Sequence, residues 1–381
     1  MSHVIAAPDK FKGSLSAREA AAHVAAGLRA AAPGLDVVEL PVADGGDGTL
    51  EAALSAGYDR VPVTAGGPTG EPVATAFARR GAVAVVEMAD VSGLSRLPGG
   101  RLDPLGAGTY GTGQVIRAAL DAGVRTIVLG VGGSASTDGG AGLARALGAD
   151  VRREGGGCVR PGGAGLLDVA DVDLRGLHPR IAETEFILAC DVDNPLLGPR
   201  GAAAVYGPQK GAGPGDVALL DRALARWAER VARATGTDHS AAPGAGAAGG
   251  VGFAALALLN AAPRPGIEIV LDLVGYAGLL REAGLVITGE GSLDEQTLSG
   301  KAPAGVAAAA ARAGVPVAAV AGRTTLGAAD LSAAGISRVY TITGLEPDPR
   351  RRMTDAGPLL ERLAARLAAD FGLVTAGGGG A

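Results

Sequence analysis

The chain has 381 residues, of which 48% are hydrophobic and 19% are charged, and its formal net charge at pH 7 is −5. This length is sufficient for two domains with sizeable cores, and the composition excludes a disordered chain. Aromatic residues make up only 3% and no basic stretch is interleaved with them, which argues against nucleic-acid binding. No apolar run is long enough to span a bilayer, so a small-molecule enzyme is the default hypothesis.

The cellular location is predicted from the cysteines and the N-terminal residues. Cys158 and Cys190 have no CxxC spacing, which is typical of reduced thiols and predicts a cytoplasmic protein. The N-terminus lacks a basic start and an apolar core segment, so no secretory leader is expected. The four histidines are scattered and predict no zinc site.

Short apolar runs alternate with Ala-rich helical segments, which predicts an α/β protein with largely parallel sheets. Ser16 and Glu19 have the spacing of a capping box at the start of the first helix. The predicted strands are 3–7, 35–40, 82–87, 125–131, 186–190, 285–288, 316–321 and 338–342. The predicted helices are 16–32, 47–56, 111–122, 141–147, 216–235, 247–260, 300–313 and 359–371.

Domain organisation follows from the texture of these segments. The two ends of the chain share the same strand–helix alternation, whereas the middle carries Arg- and Gly-rich connectors. We therefore expect a Rossmann-like domain formed by residues 1–64 and 281–375, with a second α/β domain, residues 65–280, inserted in it. A sequential arrangement of two domains remains open, and a disordered Gly tail is expected at 376–381.

Lysine is rare in this chain: four lysines occur against thirty arginines, and all four lie in short polar loops. They are Lys10, Lys12, Lys210 and Lys301. A compact ammonium contacts a phosphate or a small carboxylate as a point charge, which a planar guanidinium does differently. We expect at least two of these lysines to contact substrate, although four residues could also be placed in loops by chance.

The strongest candidate for phosphate binding is the segment Gly132–Gly140, which follows a predicted strand and precedes a helix. Glycines allow close approach of the backbone, and free N–H groups attract anions. The residues expected to bind phosphate or ATP are Gly132, Gly133, Ser134, Ser136 and Thr137. The segment matches neither the Walker nor the dinucleotide motif, and an ordinary connector is the alternative.

Carboxylates follow several of the predicted strands, where open α/β sheets bind ligands. They include Asp9, Asp44, Asp191, Glu290 and Asp294. Each one alone could equally be a turn former or a helix cap. Together with the lysines, they favour one polar site.

Roles can be predicted for some of these carboxylates. Glu290 and Asp294, with Asp44 as a third, are candidate ligands of Mg²⁺, which binds few protein carboxylates together with phosphate oxygens. Lys301 would neutralise charge on the transferring group. Asp191 is the candidate general base because it ends an apolar strand before a stiff turn, and Asp294 is the alternative base.

Taken together, these segments resemble the bacterial glycerate kinase family along nearly the whole chain. The matching segments are Ala7–Ser16, Pro41–Thr49, Gly130–Gly142, Ala189–Leu196, Gly207–Gly211, Gly246–Gly252 and Thr288–Pro303. The resemblance implies ATP-dependent phosphorylation of D-glycerate, with 2-phosphoglycerate favoured, in a cleft between two α/β domains. The expected ligands are then glycerate, ATP and Mg²⁺. The candidates for substrate binding are Asp9, Lys10, Lys12, Ser14, Asp44, Asn194 and Lys210.

Two other functions are compatible with the residues themselves. One is a kinase or phosphatase for another small hydroxy acid, and the other is a non-catalytic binder of anionic metabolites. A binder would need the lysines and the glycines but not the surplus of carboxylates, which repel an anion, so an enzyme is favoured. The sequence determines neither the hydroxyl that is phosphorylated nor whether the chain forms a homo-oligomer.

Overall fold

The structure is a computed structural model that describes residues 3–298 and 300–374. Contacts within the chain divide it into two compact units. Unit 1 comprises Met1–Asp44, Glu51–Ala56 and Ile267–Ala381, and unit 2 comprises Gly45–Leu50 and Gly57–Gly266. The backbone therefore passes from one unit to the other at 44/45, 50/51, 56/57 and 266/267.

The strands and helices of the described residues follow one another along the chain in alternation. The strands are β1 (His3–Pro8), β2 (Val37–Glu39), β3 (Asp59–Gly66), β4 (Pro72–Arg80), β5 (Val83–Glu87), β6 (Thr126–Gly130), β7 (Asp150–Arg153), β8 (Val169–Asp173), β9 (Glu185–Ala189), β10 (Ala262–Arg264), β11 (Ala283–Leu293), β12 (Val317–Thr324) and β13 (Arg338–Thr341). The α-helices are α1 (Ala17–Ala31), α2 (Thr49–Ser55), α3 (Ala89–Ser92), α4 (Tyr110–Asp121), α5 (Ala141–Ala146), α6 (Ala202–Tyr206), α7 (Pro214–Thr235), α8 (Ala247–Leu259), α9 (Gly266–Leu273), α10 (Tyr276–Leu280), α11 (Glu295–Leu298), α12 (Ala302–Arg312), α13 (Ala328–Ala333), α14 (Pro349–Thr354) and α15 (Ala356–Asp370).

Unit 1 is built on a parallel sheet with the strand order β13-β12-β11-β1-β2. Every residue of β1 is buried, as expected of a central strand covered on both faces. Its side chains alternate: Ile5 packs into one core, whereas Val4 packs on the other face, against helices α1 and α15. The capping box predicted at Ser16 and Glu19 is present at the start of α1.

Unit 2 is built on a sheet with the strand order β10-β9-β6-β5-β4-β3. Strands β5, β6, β9 and β10 are parallel, whereas β3 and β4 form an antiparallel hairpin at the edge. A separate antiparallel pair, β7 and β8, packs with α7. The carboxyl ends of the parallel strands meet at one edge of this sheet, which is where the glycine-rich segment 132–140 begins.

The predicted α/β class with largely parallel sheets is confirmed by this topology. The sequence did not predict the β3–β4 hairpin, because Asp59–Arg80 lacks the strong apolar runs of the buried strands. The strand predicted at 285–288 is longer and ends at Leu293, and the helix predicted from 247 opens with a left-handed turn at Ala248, Gly249 and Gly250.

Three predictions on domain structure and location have different outcomes. A compact unit is defined by its internal contacts, so the domain limits 1–64, 65–280 and 281–375 stay a prediction. The tail 376–381 lies outside the described residues. Within residues 3–298 and 300–374, no helix is both long enough and apolar enough to cross a membrane.

Candidate active site

The first group of candidate residues lies in unit 1, where β1 and β11 end side by side. The two strands are paired in parallel with Pro8 opposite Gly289, so the next residues, Asp9 and Glu290, are neighbours. Asp9 is buried and its Oδ1 accepts a hydrogen bond from the N–H of Lys10 at 2.6 Å. Burial raises the pKa of Asp9 to about 7, and the charges of Asp44 and Glu290 add to the rise while Lys10 opposes it.

Glu290, Asp294 and Lys301 form a compact group at the end of β11. The ammonium Nζ of Lys301 lies 3.9 Å from Oε2 of Glu290 and 3.8 Å from Oδ1 of Asp294. The buried hydroxyl of Thr297 donates to Oε1 of Glu290 at 2.7 Å and accepts from the N–H of Asp294. Burial raises the pKa of Glu290, Asp294 and Asp44 raise it further, and Thr297 and Lys301 lower it. We call Asp9, Asp44, Glu290, Asp294 and Lys301 the carboxylate cluster.

The donor set of the carboxylate cluster fits Mg²⁺, because it offers hard carboxylate oxygens from several strand ends. Among the described residues, no group of three or more His, Cys, Asp or Glu side chains is arranged to hold a metal ion by itself. Magnesium commonly binds one or two protein carboxylates together with phosphate oxygens and water. The cluster is therefore suited to a metal that is shared with a phosphorylated ligand.

The N-terminal loop places the other predicted residues of unit 1. Lys12 is exposed and Lys10 is half-buried. The backbone of Lys12 lies against Gly291, where an added Cβ would approach its nitrogen to 3.4 Å. The hydroxyl of Ser14 donates to the carbonyl of Phe11 at 3.0 Å and closes a turn. The structure thus brings the loop next to β11, and the substrate-binding roles of these residues stay predictions.

The second group lies in unit 2, in the segment Gly132–Gly140, which we call the glycine loop. Lys210 is only 1% exposed, and its Nζ donates to the hydroxyl of Ser134 at 2.8 Å and to the carbonyl of Ser136. Burial lowers the pKa of Lys210 to about 7, while Asp138 opposes the fall. The lysine therefore fastens the glycine loop from the protein interior. Its predicted contact with substrate stays a prediction.

The far end of the glycine loop is held by Asp138, which the sequence did not single out. Its carboxylate is 2% exposed and accepts hydrogen bonds from the N–H and hydroxyl of Thr109 and from the N–H groups of Gly140 and Gly142. Burial raises the pKa of Asp138. The indole of Trp227 adds a bond to the carbonyl of Gly139 at 2.9 Å. The loop is therefore rigidly supported from behind.

Two hydroxyls of the glycine loop have no protein partner. Ser136 and Thr137 are both 0% exposed, and their Oγ and Oγ1 atoms form no hydrogen bond within the part of the chain that the structure describes. An unsatisfied buried hydroxyl costs about 1–3 kcal/mol, so such atoms usually have a partner that is not protein. Gly133, by contrast, is exposed and adopts φ 73°, a conformation that favours glycine. Gly132 lies so close to Gly46 that a Cβ would come within 2.6 Å of its Cα.

Glu87 is a second residue that the sequence analysis missed. It ends β5, is 6% exposed, and its Oε2 accepts from the N–H groups of Gly48 and Leu50 at 3.2 and 2.8 Å. Burial raises the pKa of Glu87 to about 7, with further rises from Asp47 and Asp90. Glu87 thus holds the segment 45–50 across the strand ends of unit 2. The signal that identified Asp9, a carboxylate at the end of an apolar strand, could also have identified Glu87.

Asp191 and Asn194 follow β9, next to the strand that leads into the glycine loop. Gly130 and Ala189 are opposite each other in β6 and β9, which places both strand ends at one edge. Asp191 is exposed, and its Oδ1 accepts from the N–H of Gly266 at 2.8 Å. The amide of Asn194 donates to the carbonyl of Arg200 and accepts from the hydroxyl of Tyr206, so this side chain shapes its own loop.

Comparison with known proteins agrees with this arrangement. The family model described as the glycerate kinase family matches residues 4–372. The glycerate kinase of Bacillus subtilis (strain 168) is 42% identical over 97% of this chain and 98% of its own length, and the glycerate 2-kinase of Escherichia coli (strain K12) is 41% identical over 89% and 90%. A crystal structure from Salmonella typhimurium LT2, described as “putative glycerate kinase 2”, has a TM-score of 0.84 and 43% identity over 98% of both chains. Since these matches extend over nearly the whole length, the chain belongs to the glycerate kinase family of enzymes.

Proposed function

We propose that this enzyme transfers the γ-phosphoryl group of ATP to a hydroxyl of D-glycerate, with the 2-hydroxyl favoured, in the presence of Mg²⁺. The relatives named as glycerate kinases support the acceptor. The observation that carries the phosphoryl chemistry is the glycine loop, in which the buried hydroxyls of Ser136 and Thr137 lack protein partners. Phosphate oxygens are strong acceptors and would supply the missing hydrogen bonds.

Charge complementarity supports phosphate binding at this loop. Lys210 lies directly beneath the loop, and no water-accessible surface separates it from Ser134. With a pKa of about 7, Lys210 is partly protonated at neutral pH, and a nearby phosphate would favour its charged form. A buried cation stabilises developing charge more strongly than an exposed one, because the surrounding dielectric is low.

The carboxylate cluster supports the second half of the reaction. We assign Glu290 and Asp294, with Asp44 as a third candidate, to Mg²⁺, which when bound would screen the charge of the donor phosphates. Lys301, which faces both Glu290 and Asp294, would stabilise the transferring phosphoryl group. Lys10, Lys12 and Asp9 are assigned to the acceptor, together with Ser14 and Asn194.

A base must take the proton of the attacking hydroxyl, and we assign this role to Asp191, with Asp294 as the alternative. Asp191 is exposed to solvent and fixed in direction by the N–H of Gly266. Such a carboxylate can accept a proton without reorganising the backbone.

The experiment that tests the proposal is ADP release from ATP by the purified chain, with Mg²⁺ and D-glycerate varied independently. Release that depends on both, with ³¹P NMR identifying 2-phosphoglycerate, is the expected result. Turnover of another small hydroxy acid in preference to glycerate would contradict the assigned acceptor. Binding of glycerate and ATP without turnover would instead identify a non-catalytic binder. The predicted cytoplasmic location and the oligomeric state stay predictions.

A further inference from the structure

A cavity in unit 2 has no role in the assignments made so far. It has a volume of about 300 Å³, at the lower end of the range of about 300–1,000 Å³ in which proteins bind small molecules. Its lining includes Pro68, Gly108, Tyr110, Asp138, Arg145 and Pro161. We call it the Tyr110 cavity.

The Tyr110 cavity adjoins the glycine loop. Asp138 belongs to that loop and also lines the cavity, and so do Ala141 and Gly142, the first residues of α5. On the opposite side the cavity is lined by the hairpin turn 67–70, and the N–H of Gly108 donates to the carbonyl of Pro68 at 2.8 Å. Because β4 runs antiparallel to β5, this turn lies beyond the carboxyl end of β5. The cavity therefore lies at the ligand-binding edge of the sheet.

The chemistry of the lining suits a flat, uncharged group. Six glycines line the cavity and expose backbone N–H and C=O groups where side chains would otherwise stand: Gly67, Gly70, Gly106, Gly108, Gly142 and Gly162. Tyr110 is 48% exposed although it is aromatic, so one part of the lining offers a ring that a ligand can cover. The carboxylate of Asp138 in the same lining disfavours an anion such as glycerate or a free phosphate.

We propose that the Tyr110 cavity holds the nucleoside of the phosphoryl donor, with the base against Tyr110 and the phosphates leading to the glycine loop. This inference rests on the proposed function, since it takes ATP as the donor. The cavity would accommodate a nucleoside in size and polarity, whereas a three-carbon acid would leave most of it empty. The mostly apolar lining, with few polar groups, is the usual character of such a pocket.

Two substitutions test the proposal by different means. Tyr110→Ala removes the ring from a position that is largely exposed, so folding should be preserved. Gly108→Val occupies space, because a Cβ at Gly108 meets its nearest atom, Oδ2 of Asp138, at 3.4 Å, which is ordinary contact. Tyr110→Phe keeps the ring and should restore binding. Val205→Ala, on an exposed side chain of unit 2 away from this lining, is the control.

The probes are ADP and inorganic tripolyphosphate, whose dissociation constants are measured by calorimetry for each variant. We expect Tyr110→Ala and Gly108→Val to weaken ADP about 5-fold or more, within the range by which loss of base–aromatic stacking weakens binding. Tripolyphosphate binding should stay within 2-fold of the wild type, since it does not use the cavity; that tolerance is on the order of measurement error.

Each other outcome overturns the proposal. ADP binding that is unchanged in Tyr110→Ala shows that the base lies elsewhere, and this variant alone decides if Gly108→Val fails to fold. Equal weakening of ADP and tripolyphosphate shows that the cavity holds phosphates. Failure of the proposed function is a separate result: the wild type would then bind ADP through the cavity yet release no ADP in response to D-glycerate.

Discussion

The ammonium of Lys210 lies 2.8 Å from the hydroxyl of Ser134 in the glycine loop, 76 positions away along the chain. This contact converts a flexible Gly–Ser segment into a supported one, because the same ammonium also binds the carbonyl of Ser136. It also explains why a lysine is present in a chain that otherwise uses arginine. The buried space holds a compact ammonium on a thin stem, and a planar guanidinium has a different shape and different hydrogen-bond directions.

Replacing Lys210 should therefore impair ATP use. Lys210→Arg is expected to lower kcat/KM for ATP about 10-fold or more, since a buried hydrogen bond to a charged group contributes about 1.5–3 kcal/mol. Lys210→Met keeps the length and removes the charge, and should have a similar effect. Arg233→Lys, an exposed change in an ion pair with Glu229, is the control and should leave steady-state kinetics unchanged. Normal ATP kinetics in both Lys210 variants would remove the role of this lysine.

Asp191→Asn tests the assigned base. The amide can still accept the hydrogen bond from Gly266, so the fold should persist while proton transfer is lost. We expect kcat to fall by roughly 10²-fold or more with a modest change in KM, which is the usual scale for a general base. The neighbouring Asp193→Asn is the matched control, because Asp193 is exposed and pairs with Arg200. If Asp191→Asn retains most of its kcat, the base is Asp294 or no residue acts as one.

Glu290→Gln tests the metal assignment. Glutamine can keep the hydrogen bond from Thr297 but lacks the charge that attracts Mg²⁺. The Mg²⁺ concentration at half-maximal rate should rise several-fold in a titration at fixed ATP. The exposed Glu295→Gln, five positions along the chain, should titrate like the wild type. An unshifted titration in Glu290→Gln would mean that the nucleotide carries the metal without help from this residue.

Asp9→Asn should change how stability depends on pH. The pKa of Asp9 is about 7 in the folded chain and 3.8 is its ordinary value, so between these pH values the folded state keeps a proton that the unfolded state has lost. The free energy of unfolding therefore falls as pH rises through this window, and the loss is complete above about pH 7. Asparagine does not titrate, so the variant should lack this part of the fall.

Thermal unfolding between pH 5 and 8 measures the difference. Asp9→Asn should melt higher than the wild type at pH 8 by about 2 °C or more. The exposed Asp36→Asn is the control. Glu87 also titrates near pH 7, but it is common to both proteins and cancels in the comparison. Identical pH dependence in wild type and Asp9→Asn would show that Asp9 ionises as an ordinary carboxylate.

Much of the fold could be predicted from local signals. The apolar runs identified β1, β5, β6 and β9 because buried parallel strands need no polar face. Ser16 and Glu19 identified the start of α1, since a capping box is encoded within four residues. The glycine loop was found by the same kind of reasoning, because a strand, a run of glycines and a helix are adjacent in sequence.

What the sequence could not provide is information that depends on distant partners. Lys210 was identified as unusual, but its burial follows from packing against a loop 76 positions away. Asp138 is one acid in a glycine-rich run, and only the folded chain brings Thr109 to it. The lining of the Tyr110 cavity is drawn from four separate segments of unit 2, none of which carries a motif for it.

The position of β1 between β2 and β11 has a consequence for the order in which the protein can assemble. Strand β1 is among the first residues synthesised, yet its partner β11 begins only at Ala283. At about 5–20 residues per second, translation takes roughly a quarter of a minute to a minute to reach that point. During that interval the apolar strand β1 has no β11 to pair with, whereas the residues of unit 2 are already complete. Chaperone contacts during synthesis should therefore concentrate on the N-terminal strand, and a truncated chain that ends before Ala283 should expose it.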